Sequence, residues 1–346
     1  MNYFEMRETL LGKTPEELKE AAVKVGLPAF AGKQLAGWIY DRKVLDIDLM
    51  TNISKAGRER LKEEYDLGIT LPSTCQVSRD GTKKYLFPLG EGDAVEAVMI
   101  PDEDRKTLCV SSQAGCRMGC KFCMTGRQGF HGNLTTAMIL SQLLAIDEAQ
   151  DLTNAVFMGM GEPLDNFDNV MGAIRVLTSE WGFGWSPKRI TLSTIGVLPN
   201  LRKYLDSTRC HLAVSLHSPF AEERAELMPV QKAWPVEAVI DLIREYDFTG
   251  QRRVSFEYTM FSGLNDDKRH ADALIRLLGG LECRVNLIRF HKIPDAPFEP
   301  SPQIIMERFR DRLSNHGITC TIRASRGEDI MAACGMLAGE HRKKTI

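Results

Sequence analysis

The first seventy or so residues carry apolar positions at helical spacing. Thr14 opens TPEELKEAAVKVG as an N-cap with Glu17 three positions on, a capping box, and Gly26 supplies the stop. AGKQLAGWIYDRK and SKAGRERLKEEYDLG continue the same period. Between about 74 and 100 the period shortens. There CQVSRDGTKKYLFPLGEGDAVEAVMI reads as short strands, turned at Asp80-Gly81 and from Gly90 to Gly92. From about 107 a third rhythm sets in. The runs TLCVSS, NAVFMGM, RITLST, HLAVSL, RVSFEYT and RVNLIRF, then ITCTIRAS, alternate with helical stretches such as LTTAMILSQLLAIDEAQ, FDNVMGAIRVLTSE and PVEAVIDLIREYD. Such alternation predicts parallel βαβ units. Six units before the last strand predict an α/β fold, a partial (β/α)6 barrel and not a closed eightfold one. Residues 1–95 then form a small N-terminal helical accessory domain with short strands, and 96–346 the barrel with a C-terminal extension. No low-complexity linker separates the two, which predicts direct packing.

Composition changes this picture little. With 346 residues and 43% hydrophobic content, the chain can bury a large core. Its 44 basic and 46 acidic side chains nearly cancel, so any nucleic-acid binding must use a local patch. Local basic groups are Arg58 to Lys62, Lys83-Lys84, Lys188-Arg189, Arg323 with Arg326, and the tail HRKK from His341. The tail and the N-terminal helices are the expected phosphate contacts. The start, MNYFEMRETL, has no basic segment followed by an apolar run, and no apolar stretch has the length of a membrane span. Nine cysteines, an odd number, fit reduced thiols better than a disulfide framework and predict a cytoplasmic protein.

The chemistry concentrates in AGCRMGCKFCMTG, where Cys116, Cys120 and Cys123 follow the first barrel strand. Functional loops of α/β barrels gather at such strand ends. Three separate buried thiols, a zinc site and an iron–sulfur cluster are the readings open here. Zinc wants four ligands, and no second Cys or His pair follows at suitable spacing. A [4Fe–4S] cluster held by three thiolates leaves one iron open. One unit later, FMGMGEPLDN sets Gly159, Gly161 and Glu162-Pro163 in a turn that exposes backbone to a ligand. Later strand ends add Ser193, then Ser215 and His217, then Glu257, Asn265 and Asp266, then Asn286 and His291. Each alone suits a cap or a satisfied core group; their shared placement suits a ligand with many polar groups. Cys109, in the first strand, and Cys334, among Ala332, Ala333 and Gly335, each suit a small buried hydrophobe.

The C-x3-C-x2-C loop with Phe122 before its third cysteine resembles the signature of radical S-adenosylmethionine enzymes. The longer series GKQLAGWIY, MTNIS, LCVSSQAGC, FMGMGEPLDN, TLSTIGVLP, LAVSLHSP, LMPV and RGEDIMAACGMLAG resembles, nearly end to end, RlmN-type adenine-C2 RNA methyltransferases and their relative Cfr. The resemblance implies a radical S-adenosylmethionine barrel with a [4Fe–4S] cluster on Cys116, Cys120 and Cys123. It implies S-adenosylmethionine held by Gly161, Glu162, Ser193, Ser215, Leu216, His217 and His291. Cys334 would carry the methyl group, and a 5′-deoxyadenosyl radical would activate it to attack the base. Glu96 would take the proton from carbon 2, and Cys109 would release the product through a transient disulfide. Carbon 2 of adenine, between two ring nitrogens, is too electron-poor for ordinary methyl transfer, so a radical route fits. Implied substrates are 23S rRNA and tRNA, with a donor such as flavodoxin, and a monomeric enzyme is expected. Methylation at carbon 8, as in Cfr, and a zinc-bound RNA-binding module are the rivals. Two departures stand out: Phe30-Ala31-Gly32 where the family often has Arg after Phe, and His291 where relatives place Asn.

Overall fold

The computed structural model describes residues 7–90, 92–248, 250, 252–294, 296–330 and 338. The N-terminal unit holds α1 (Pro15–Lys24), α2 (Ala31–Ala36) and α3 (Lys55–Glu64). The expected capping box is present: Thr14 Oγ1 accepts from the Glu17 N–H while the Glu17 carboxylate accepts from the Thr14 N–H. Gly26 takes a left-handed φ of 69° and ends the helix. GWIYD continues α2 as a π-helical turn, Gly37–Asp41. A Cβ on Gly32 would lie 2.5 Å from the Lys19 backbone, so glycine lets α1 and α2 cross this closely.

Among the described residues, ten strands form one sheet whose spatial order repeats the sequence order. They are β1 (Thr74–Val77), β2 (Lys83–Gly90), β3 (Asp93–Asp102), β4 (Arg105–Cys109), β5 (Asn154–Phe157), β6 (Ile190–Thr194), β7 (His211–Ser215), β8 (Val254–Met260), β9 (Arg284–Arg289) and β10 (Thr319–Ile322). β1 to β4 are antiparallel neighbours, and β4 to β10 pair in parallel. The expected alternation is therefore present strand for strand. β3 spans the 95/96 division drawn from the sequence, so the strands of residues 74–102 extend the barrel sheet.

Helices pack the outer face: α4 (Thr136–Leu144), α5 (Phe167–Thr178), α6 (Leu198–Ser207), α7 (Ala221–Leu227), α8 (Val236–Arg244), α9 (Lys268–Leu278) and α10 (Gln303–Ser314). The parallel strands alternate buried with part-exposed positions, so one face packs the core and the other faces the barrel interior. Ala155, Phe157, Leu192, Leu212, Val214 and Phe256 are accordingly in the core. After β10 the chain crosses back toward the first hairpin. Arg326 pairs with Asp102 at 2.9 Å, the Gly327 N–H donates to Asp80, and Asp329 accepts from Ser78 Oγ and the Arg79 N–H. Among the described residues no helix is long and apolar enough to cross a membrane.

Candidate active site

The three-cysteine loop hangs from a hairpin of Gln113–Gly115 and Phe130–Asn133. Gly115 is left-handed, and a Cβ there would meet the Gly129 carbonyl oxygen at 1.9 Å. Only glycine lets the strand close onto the loop. The Cys116 N–H donates to that carbonyl, and the Lys121 N–H ties the loop to Leu227 at the end of α7. Cys116 and Cys120 are buried and Cys123 half-buried. Burial pushes the Cys116 thiol up to about 12. It raises the Cys120 thiol further, with the neighbouring Cys123 and Cys116 adding to the effect. Such thiols stay protonated on their own and give up their protons to a metal centre. Among the described residues no three of His, Cys, Asp or Glu gather around one point to hold a single ion. Thiols that each bind a different iron of one cluster need not share a point, so this donor set fits a three-thiolate cluster.

The Gly-Glu turn packs directly under this loop. Gly161 has a φ of 100°, and a Cβ would fall 2.5 Å from that of Gln113. The Glu162 N–H donates to Gln113 Oε1 at 2.9 Å. Its carboxylate accepts from Thr194 Oγ1 at 2.6 Å, the Ile195 N–H at 3.0 Å and the Leu164 N–H at 3.0 Å. A carboxylate has about four acceptor positions, so about one remains for a ligand. Burial raises the Glu162 carboxyl to about 7 despite these donors.

His217 occupies the left-handed region at φ 58°. Its Nδ1 accepts from the Thr259 N–H at 2.9 Å, which leaves Nε2 as the N–H donor. Burial depresses the imidazole to about 3, so it is neutral. Its ring meets Phe122 of the cysteine loop edge-on, 4.7 Å between centroids. Ser193 and Ser215 are half-buried at the ends of β6 and β7, and Leu216 is buried. Ser215, Glu257, Asn286 and Thr321 align in one row across β7 to β10. Glu257 Oε1 accepts from Ser255 Oγ and Asn286 Nδ2, and Asn286 Oδ1 from Thr321 Oγ1. Glu257 Oε2 stands 3.6 Å from Arg323. Asn265 supports the His217 backbone, donating to its carbonyl at 2.7 Å, and Asp266 accepts from Ser301.

A cavity of about 720 Å³ opens on the inner face of β3, β4, β5 and β9, lined by Cys109, Val98, Met158, His291, Arg323 and Glu328 among others. His291 is 3.9 Å from Glu328 and partly exposed. The thiols of the cysteine loop do not line this cavity, but Arg127, just after them, donates to the Pro294 carbonyl beside its rim residue Ile293. Val98 is in register with Cys109, which places Glu96 one step along the same face of β3. Glu96 is 1% exposed and pairs with Lys84, also fully buried, at 2.8 Å. Its Oε1 accepts from the Ala338 N–H at 2.7 Å. Cys334 lies outside the described residues, as does the tail from His341; of the flanking residues, Asp329 is anchored on the turn between β1 and β2, and Ala338 on β3.

Several basic groups expected to meet RNA are engaged within the protein. Lys84 is buried against Glu96, Lys83 pairs with Glu148, and Lys62 with Asp48. Arg58 donates to the Ile53 carbonyl at 2.7 Å. Lys188 and Arg189 are exposed, as is Phe30 on the N-terminal unit. Sequence reasoning missed Arg224. This fully buried guanidinium donates to the carbonyls of Leu216, Ser215 and Ile195 and to Gln231 Oε1, binding the ends of β6 and β7 together. Burial lowers it to about 10. Its only sequence signal is its place on a short helix after LAVSLHSP.

Residues 110–274 match the Radical SAM superfamily, and residues 9–67 match the ribosomal RNA large subunit methyltransferase N-terminal domain. Partial barrel and three-thiol loop together define a radical S-adenosylmethionine enzyme. The chain is 61% identical to a probable dual-specificity RNA methyltransferase RlmN of Porphyromonas gingivalis, over 96% of this chain and 95% of that one. It is 40% identical to the dual-specificity RNA methyltransferase RlmN of Syntrophus aciditrophicus, over 98% of each. A solved radical SAM methyltransferase from Sphaerobacter thermophilus superposes with a TM-score of 0.90 at 38% identity, covering 95% of this chain and 98% of that one. The chain belongs to the RlmN family of RNA methyltransferases. That family implies S-adenosylmethionine and a [4Fe–4S] cluster as cofactors and RNA as substrate.

Proposed function

We propose that this enzyme makes 2-methyladenosine in 23S rRNA and in tRNA, through a methylated Cys334 and a covalent RNA intermediate. The observation that carries the reading is the face of β3 that Glu96 shares with Val98, which is in register with Cys109 at the cavity, with Ala338 hydrogen-bonded to Glu96. When bound, the cluster and S-adenosylmethionine supply the methyl group, the reducing electron and the means of hydrogen abstraction. Cys116, Cys120 and Cys123 hold the cluster. The one acceptor position left on Glu162, the Gly161 backbone, Ser193, Ser215, Leu216 and the neutral His217 N–H suit the polar groups of the cofactor. His291 stands at the rim where relatives have Asn and offers it an imidazole.

In this reading Cys334 becomes a thioether and its carbon bonds to carbon 2 of the adenine. Glu96 takes the proton released from carbon 2, and the adduct hands back one electron, the equivalent of the one supplied at the start, so that the purine is closed-shell again. The Cys109 thiolate bonds the Cys334 sulfur, and the sulfur–carbon bond breaks. Its electron pair goes to the former methyl carbon, which takes a proton and leaves as the product methyl group. An external dithiol then reduces the disulfide between Cys109 and Cys334, and a donor such as flavodoxin serves the cluster. The N-terminal unit, residues 9–67, serves as an RNA-binding accessory domain, with the target adenosine extruded from a loop to reach the cavity. The experiment is anaerobic reconstitution with 23S rRNA fragments and tRNA, followed by nucleoside mass spectrometry. We expect 2-methyladenosine in both; 8-methyladenosine in its place would convert the reading to the Cfr activity.

A further inference from the structure

Lys84 carries a charge that the fold has hidden completely. It stands on β2 with no exposed surface, its Nζ 2.8 Å from Oε2 of Glu96. Lysine is almost never fully buried without a partner. Removing both charges from water costs several kcal/mol per ion, and an apolar pair of similar volume is often as stable or more so. Stability alone is therefore a poor reason for this pair.

Its position supplies a better one. Register aligns Lys84 with Val98, Val98 with Cys109, and Cys109 with Val156, a single row across β2, β3, β4 and β5. Three members of that row line the cavity. Lys84 reaches diagonally from it to the carboxylate two residues before Val98. One oxygen of Glu96 faces the ammonium and the other accepts from the Ala338 N–H. A carboxylate 1% exposed has little water to stabilise its charge.

We infer that Lys84 is the positioning residue that keeps Glu96 an oriented anion inside a dry wall, ready to take the adenine carbon 2 proton. The inference rests on the reading of Glu96 as the base. In the step concerned, the C2–H bond of the adduct breaks, its electron pair returns to the purine ring as the adduct's surplus electron is handed back to the site that supplied it, and the proton moves to a Glu96 oxygen. A neutral residue at position 84 takes the Lys84 charge from beside the carboxylate, and the adduct stalls with its hydrogen in place.

The test uses reconstituted holoenzyme and RNA deuterated at adenine carbon 2. Lys84→Gln keeps a hydrogen-bond donor but removes the charge; Lys84→Arg keeps the charge. We expect Glu96→Gln and Lys84→Gln to acquire the methyl group on Cys334 as the parent does. Both then stall as denaturation-resistant protein–RNA adducts that retain deuterium, with product formation down at least about a hundredfold. Lys84→Arg forms deuterium-free product within about tenfold of the parent. Product release by Lys84→Gln at the parent rate overturns the inference. Loss of Cys334 methylation along with every later step does so too, since it marks a merely structural residue. Normal turnover by Glu96→Gln sinks the base assignment itself, whereas a stall there without one in Lys84→Gln sinks only the role of Lys84. Should Lys84→Gln not fold, Lys84→Arg decides: an adduct stalled despite the retained charge, with Cys334 methylated, overturns the inference.

Discussion

His217 gives the fold a pH dependence whose size follows from its surroundings. The imidazole is 4% exposed, accepts from the Thr259 N–H, and is depressed to about 3 by burial. An unfolded chain binds a proton there below about 6.5, while the folded one does not. The stabilisation is thus complete above 6.5 and is lost as pH falls from there toward 3. The slope is about 1.4 kcal/mol per pH unit, or about 2 kcal/mol between pH 6.5 and 5. His217→Asn is the matched perturbation. Asn tolerates the left-handed backbone at this position and can offer an oxygen to the Thr259 N–H, but it does not titrate. Urea unfolding of the cluster-free protein, followed by circular dichroism at pH 7, 6 and 5, measures the effect. The parent should lose about 2 kcal/mol more than His217→Asn over that acid interval. His211, lowered to about 4 by burial, contributes equally to both proteins and cancels. Parallel pH profiles, agreeing within about 0.5 kcal/mol, would refute the account of a buried neutral imidazole.

Cys109→Ala should be purified with RNA covalently attached, because the thiol that releases it is gone; a denaturing gel with nuclease treatment checks this, and nucleic-acid-free protein from active cells counts against the role. Replacing Cys116, Cys120 or Cys123 by Ala should abolish the brown cluster absorbance, whereas Cys334→Ala should keep that absorbance and form no methylated adenosine. Gly161→Ala forces a side chain at φ 100° with its Cβ 2.5 Å from that of Gln113. It should lower stability by about 1–3 kcal/mol or more in urea titrations, and a change below about 0.5 kcal/mol would show that the turn relaxes freely.

The fold was largely legible because its signals are local. The parallel strands carry short stretches such as ITLST or HLAVS whose apolar positions are buried, and helices such as α1 and α4 start at the side-chain caps Thr14 and Thr135. The cysteine loop was legible for the same reason, since three thiols within eight residues declare themselves. Division of the chain at 95/96 was harder to read. Nothing in DAVEAVMIP tells that the hairpin strands continue the barrel sheet, because edge-to-edge pairing is a relation between distant segments. Lys84 shows the limit most clearly. In sequence it is one of two adjacent lysines resembling a phosphate contact, and β-strand alternation turns Lys83 outward toward Glu148 and Lys84 inward to Glu96. Arg224 is similar: its value lies in four acceptors contributed by three separate stretches of chain.

Because spatial order in the sheet repeats sequence order, every strand emerging during synthesis meets a neighbour already made. Among the described residues, the segment from Arg326 to Asp329 travels back to clasp the turn at Ser78 to Asp80 and the end of β3, and Ala338 returns to Glu96. A chain broken off just short of that clasp would still pair all ten strands, yet the first hairpin and the last strand would be left unfastened. The open sheet is thereby fastened by a chain crossing and not by pairing between its two edge strands.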